Sequence, residues 1–213
     1  MHELREASGT TSAITALLRL LNAVLLHGGA SVCEQACLVG VVPVALPFVE
    51  LQFPQPIRLE AAILCHTMCT GRSALALQIF ISCHGLPALV TLLVSRSSGR
   101  ELEPSTAFHE PSTDHPCPSS SFHQVSPSSA RELVTRAIDA IKAVLDLRGR
   151  APRNDLCRTF VELEVLELIV PAIIDINAQY PQHADRGAEV VLQLSSADTA
   201  VKARMATRKV HSP

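Results

Sequence analysis

The stretch Ala74 to Leu93, ALALQIFISCHGLPALVTLL, repeats the pattern of an earlier one. Shifted back by 44 positions it lies on Ala30 to Val49, ASVCEQACLVGVVPVALPFV. Cys33 meets Leu77, Cys37 meets Ile81, Val42 meets Leu86, Pro43 meets Pro87 and Leu46 meets Val90. Each copy reads as two short apolar helices. A proline opens the second, where a first-turn N–H has no intrahelical partner to lose. The same step carries Leu21, Val24 and Leu25 onto Cys65, Met68 and Cys69, in longer helices with apolar residues every three or four positions. A chain of this kind has few options. Each unit carries an oily stripe that it cannot bury alone, so consecutive units must cover one another.

Composition agrees with helical layers. Apolar residues make up 47% of the 213, but aromatics only 3% and Trp is absent, so the core must be aliphatic. A β-sandwich would draw on aromatic and β-branched strands instead. A net charge of −2 gives no overall pull toward nucleic acid or anionic lipid. Seven Cys, several inside apolar helical runs, read as free thiols in a reducing interior. The opening MHELREASG lacks the basic-then-apolar start of a secretory leader, which makes a cytoplasmic protein the expectation. The longest uninterrupted apolar run, Ala36 to Val49, is too short to span a bilayer and contains Gly40, Pro43 and Pro47, so no membrane insertion is expected.

In chain order the pattern predicts a disordered N-terminus over 1–11 and a first set of helices over 12–95. The first of these, Ser12 to His27, ends at Gly28-Gly29. Residues 96–128 are rich in Ser, Pro and His and cannot bury enough apolar surface to order, so they read as a flexible insertion. Helices resume over 129–195, and a partly helical tail occupies 196–213. The spacing supports an insertion into a constant period. Phe80 to Phe160 and Leu86 to Leu166 are each 80 residues, against 44 for the uninterrupted step. A helix-only recurrence of about 40–47 residues is the armadillo/HEAT signature. The predicted fold is therefore all-α, an armadillo/HEAT-type right-handed solenoid of about three repeats with a disordered inserted loop.

Two segments carry a family resemblance. They are Arg150-Ala-Pro-Arg-Asn-Asp-Leu-Cys-Arg158 and Phe80-Ile-Ser-Cys-His-Gly-Leu-Pro-Ala-Leu-Val90. Together they resemble the armadillo region of the septation-initiation class of Ste-type protein kinases, which includes the plant MAP kinase kinase kinase epsilon enzymes. The resemblance covers roughly 30–95 and 129–175. It departs in two respects: the Pro/Ser loop is extra, and no Gly-rich phosphate loop, His-Arg-Asp loop or Asp-Phe-Gly is present. It implies a regulatory or scaffolding role in cell-division or MAP-kinase-like signalling, with no enzymatic activity in this chain. It also implies a protein partner, either an extended peptide segment or, as in fungal members, a small GTPase. A truncated gene product or a generic armadillo adaptor is the alternative reading.

Candidate sites follow from the repeat. Asn22, His66 and Lys142 occupy the same place in successive long helices. The resemblance implies that this place lines a partner groove, with an Asn bonding an extended backbone; His66 and Lys142 depart from that residue type. The plain alternative is three polar residues facing water. Arg153, Asp155 and Arg158 open a later helix; Asp155 suits the positive end of the helix dipole, and contact with a partner is the second reading. Ser126, before Pro127, is a candidate phosphorylation site. Cys33-x3-Cys37 and Cys65-His66-x2-Cys69 have spacings that a structural zinc could use. Their counterparts are Leu77 and Ile81, and Leu21 and Leu25, so these cysteines read as small apolar core fillers. The loop residues His109, His115, Cys117 and His123 would need a metal to order them. No metal and no cofactor are expected.

Overall fold

The structure is a computed structural model, and it describes residues 2–71, 73–94, 127–146, 153–177 and 179–196, with 202, 203 and 206. Among these residues there are helices and turns and no strand. In order they are α1 (His2–Leu38), α2 (Val41–Ala45), a 3-10 turn (Leu46–Val49), α3 (Gln55–Thr70), α4 (Ala74–Ser82), α5 (Gly85–Val94), α6 (Pro127–Asp146), α7 (Arg153–Glu162), α8 (Val165–Asn177) and α9 (Pro181–Ser195).

Two boundaries differ from the sequence reading. Helix α1 starts at His2, ahead of the Ser12 that the apolar stripe predicts. Its first segment ends where the sequence places the stop, at Gly28-Gly29: Gly29, with φ of 71° and ψ of −168° in a region that only glycine adopts readily, separates it from a second segment that runs on to Leu38. The turn before the stripe, HELREASG, is helical without an apolar face to announce it. Helix α6 starts with Pro127 at its first position, two residues early. The expected insertion, except for its last two residues, most of the tail and Ser126 fall outside the described residues.

The 44-residue step is realised in the backbone itself. Gly40, His84 and Glu164 sit 44 and 80 residues apart, and all three are left-handed, with φ of 84°, 64° and 60°. Each is the joint at which one short helix turns into the next: α1 into α2, α4 into α5, α7 into α8. A left-handed residue ends a helix and lets the chain reverse without losing a loop. His and Glu tolerate it less well than Gly does, so the corner is maintained by what packs around it. Phe80 and Phe160, also 80 residues apart, are both fully buried.

The long helices pack in chain order: α1 on α3, α3 on α6, and α6 on α9. The short ones follow suit, α4 against α1 and α5 against both the 3-10 turn and α8. One buried cluster runs through all of it, from Leu25 through Leu64, Leu89 and Ile138 to Ile169 and Leu194. Complete burial of an aliphatic side chain stabilises by about 1.5–3 kcal/mol, and the cluster is where the fold draws its stability. Helix α4 is started by Ser73, whose Oγ accepts from the Ala76 N–H and donates to Glu34 of α1 at 2.8 Å.

Residues Gly9–Leu38 of α1 form a helix long and apolar enough to cross a bilayer by length and composition, a longer apolar element than the Ala36–Val49 run in the sequence. The α4–α5 pair would qualify only across its 74° bend. In α1 the helix breaks at Gly29, and Leu18, Asn22 and Leu25 are buried along the side that meets α3.

Candidate partner-binding surface

The polar residues of the long helices gather at the seams between layers. Asn22 is buried, and its amide donates to the Glu60 backbone carbonyl at 2.9 Å and to the Glu60 carboxylate at 3.1 Å. The other carboxylate oxygen of Glu60 accepts from Arg19 Nε at 2.6 Å. Helix α3 is thus held to α1 through a carboxylate buried between an exposed guanidinium and a buried amide. The Asn22 Oδ1 is itself buried and has no hydrogen-bond partner among the described residues.

His66 sits half-buried on α3, next to Arg136 and Asp139 of α6 and His183 and Arg186 of α9. Burial lowers its pKa first, the positive charges of Arg136, Arg186 and His183 lower it further, and Asp139 opposes them. The Asp139 carboxylate is buried between two partners on α9. His183 Nδ1 lies 3.0 Å from it and Arg186 Nη1 donates at 2.9 Å. Lys142 bonds Asp146 on its own helix and Glu189 of α9, the latter at 2.8 Å. Gln193 of α9 also donates to Asp146, at 2.7 Å. Partial burial works against the charge on Lys142, but its bonds to Asp146 and Glu189 raise its pKa.

Asn22 reaches Glu60 on the next long helix, and Lys142 likewise reaches Glu189 on the next; the charges that act on His66 are those of Arg136 and Asp139 on α6 and of Arg186 and His183 on α9. Asn22 directs its amide hydrogens into the chain, to α3. Sequence reasoning passed over Arg19, Glu60, Asp139, His183 and Arg186. Their signal was a carboxylate inside an apolar stripe, in RLEAAIL and RAIDAIK, which a buried face tolerates only with a partner.

At the start of α7, Arg158 donates to Asp155 at 3.1 Å on the surface. An exposed pair of this kind contributes about 0.2–1 kcal/mol. Arg153 begins the helix, and its side chain lies outside the described residues. Asp155, Leu156 and Thr159 form one wall of a hollow of about 320 Å³ whose other wall is the α4–α5 corner, with Ile81, His84 and Pro87.

Cys33, Cys37, Cys65, Cys69 and Cys157 are buried free thiols, and Cys83 is half-buried. Cys37 Sγ rests 3.7 Å from Met68 Sδ. Burial pushes the Cys65 thiol up to about 12 and the Cys69 thiol well above its ordinary value. Among the described residues no group of three or more His, Cys, Asp or Glu could hold a metal ion. His109, His115, Cys117 and His123 lie outside them.

No family model matches the chain. It is 29% identical over 201 residues to cytokinesis protein sepH of Aspergillus niger, a match that takes in 92% of this chain and 13% of that protein. It is 30% identical over 166 residues to MAP3K epsilon protein kinase 1 of Arabidopsis thaliana, taking in 77% of this chain and 10% of that one. MAP3K epsilon protein kinase 2 of the same plant is 31% identical over the same shares. The chain is homologous to one segment of these proteins. It spans 10–13% of the length of the curated relatives it matches.

Proposed function

We propose that this chain is a non-catalytic protein-interaction module, the counterpart of an armadillo repeat region in septation-type kinases, and that it acts in kinase-related signalling at cell division. The observation that carries the reading is the match itself. Most of this chain aligns with a tenth or so of proteins named for cytokinesis and for a MAP3K, while its sequence contains none of the phosphate-binding or metal-binding kinase motifs. An armadillo-type right-handed solenoid is supported by the long helices packing in chain order and by the left-handed corners at Gly40, His84 and Glu164. The partner is a protein, an extended segment or a small GTPase, met along the long helices, where Arg19 is exposed and His66 and Lys142 are partly exposed. Asn22 contributes by fixing α1 to α3 behind that surface. The work is done in the cytoplasm.

The test is capture of partners from dividing cells with the full chain and with Lys142→Glu. Loss of one specific protein with the variant supports that surface as the site. Identical capture by both removes it, and a tagged chain absent from the cytoplasm removes the proposed compartment.

A further inference from the structure

The hollow between α7 and the α4–α5 corner occupies a seam whose counterpart, one layer earlier, is packed. At the earlier seam α4 lies against α1, and Cys37 Sγ is 3.9 Å from the Ala76 carbonyl oxygen. The repeat puts Ile81 in the place of Cys37 and Leu156 in the place of Ala76. Both are bulkier, and both line the hollow. Helix α7 makes its contacts chiefly with α6 and α8, and a space of about 320 Å³ remains beside α4. That is the lower end of the range for binding pockets, about 300–1,000 Å³.

The polar groups of the hollow also depart from the repeat. His84, Asp155 and Thr159 line it, and the same three places at the earlier seam are Gly40, Leu75 and Ile79. His84 keeps the left-handed backbone that Gly40 adopts without a steric penalty. Strain of that kind collects at ligand sites. Asp155 is the one charged residue of the lining. One of its oxygens accepts from Arg158 at 3.1 Å in an exposed pair, and the other has no partner among the described residues.

We propose that this hollow seats an aliphatic side chain of a protein partner, with a neighbouring lysine or arginine of the same partner segment on Asp155. The lining selects both halves of that occupant. Ile81, Leu86, Leu156 and Leu163 favour an apolar group of the size of leucine. The sign of the lone lining charge favours a cation beside it. The chain's own residues 96–126 carry four carboxylates against two arginines, the wrong sign for this rim. The proposal rests on the chain being a protein-interaction module, but not on the surface at Arg19, His66 and Lys142.

The test titrates the isotope-labelled full chain with a capped peptide of sequence AKLKA and follows its amide resonances by NMR. Saturable shifts should centre on the α4–α5 corner and the first turns of α7. A serine in place of the peptide leucine, AKSKA, should weaken binding about tenfold to a hundredfold, the worth of one buried aliphatic side chain. Asp155→Asn, with wild-type helical circular dichroism, should weaken it by up to about fivefold, the upper end for an exposed ion pair. Glutamates in place of the lysines, AELEA, should weaken it at least as much. The proposal is overturned by an absence of saturable shifts, by shifts centred on the long helices, or by equal binding of AKLKA to Asp155→Asn or of AELEA to wild type. Hexylammonium binding as tightly as AKLKA also overturns it, since the hollow would then take a small cation and not a partner segment. The capture experiment with Lys142→Glu reads a different surface, so each reading can fail while the other stands.

Discussion

Asn22 and Glu60, 38 residues apart, are joined twice: the amide of Asn22 donates to both the backbone carbonyl and the carboxylate of Glu60. A position that the repeat marks as a groove site is, in the folded chain, a tie between its first two long helices. Removal of such a tie is felt in stability before it is felt in binding. Asn22→Ala should lower the unfolding free energy by about 1–2 kcal/mol and leave Glu60 with Arg19 alone. Chemical denaturation measures the loss, and amide exchange should quicken in α1 more than in α9. Unchanged stability would mean that the unpartnered Oδ1 costs as much as the two bonds contribute.

The corner residues predict an opposite pair of effects at one site. His84 holds a left-handed conformation that costs an L-residue about 1–2 kcal/mol, and Gly40 fills the same corner one unit earlier. Part of any gain from glycine is returned as extra freedom of the unfolded chain. His84→Gly should therefore stabilise by up to about 1 kcal/mol, and His84→Val should destabilise by more than that, since a branched side chain fits the conformation worst. Thermal melts of the two variants should bracket the wild type.

Acid should weaken the α3–α6–α9 seam through His66. Burial, helped by Arg136, Arg186 and His183 and opposed by Asp139, lowers its pKa in the folded chain. The unfolded chain then takes up the proton first as pH falls below the ordinary value of 6.5. This contribution to stability is whole above that pH and declines as pH drops through the window between the unfolded and folded values. Denaturation at a series of pH values should show the decline, and His66→Gln should flatten it. An equal slope in the variant would assign the acid sensitivity elsewhere.

Thiol chemistry should separate the cysteines by burial. With Cys65 pushed up to about 12 and Cys69 also raised, neither offers a thiolate at neutral pH. Cys83 is half-buried at the end of α4. Alkylation of the native chain, followed by peptide mass spectrometry, should label Cys83 ahead of Cys33, Cys37, Cys65, Cys69 and Cys157. Early labelling of Cys65 would show that the α3 core opens.

What could be read from the sequence was whatever repeats. The prolines at helix starts, the joint at His84-Gly85, the split at Glu164 and the all-helical class all follow from one offset and one periodicity. The Cys-for-Leu exchanges pointed to apolar surroundings, and five of the six described thiols are buried. The polar ties were not legible. Asn22, His66 and Lys142 share a place in the repeat, but the partner each one finds depends on how neighbouring helices cross, a quantity no spacing records. Asp139 illustrates the point. The cations three residues away on its own helix, Arg136 and Lys142, pair with other carboxylates, and its two partners, His183 and Arg186, are supplied by α9 more than forty residues later. The early start of α1 was hidden for a different reason, because HELREASG has no oily side to betray a helix.

The break at Gly29 sets where the first half of the molecule can go. The rod before it lies along α3, and the rod after it delivers Cys37 to Met68 of α3 and Ala76 of α4. With φ of 71° and ψ of −168°, that elbow is written in the one amino acid without a side chain, and any other letter there would pull both arms toward a single straight shaft. A straightened α1 could lie against α3 or reach α4, but not both, so the choice between a layered body and a loose apolar rod rests on a hydrogen where other residues have a carbon.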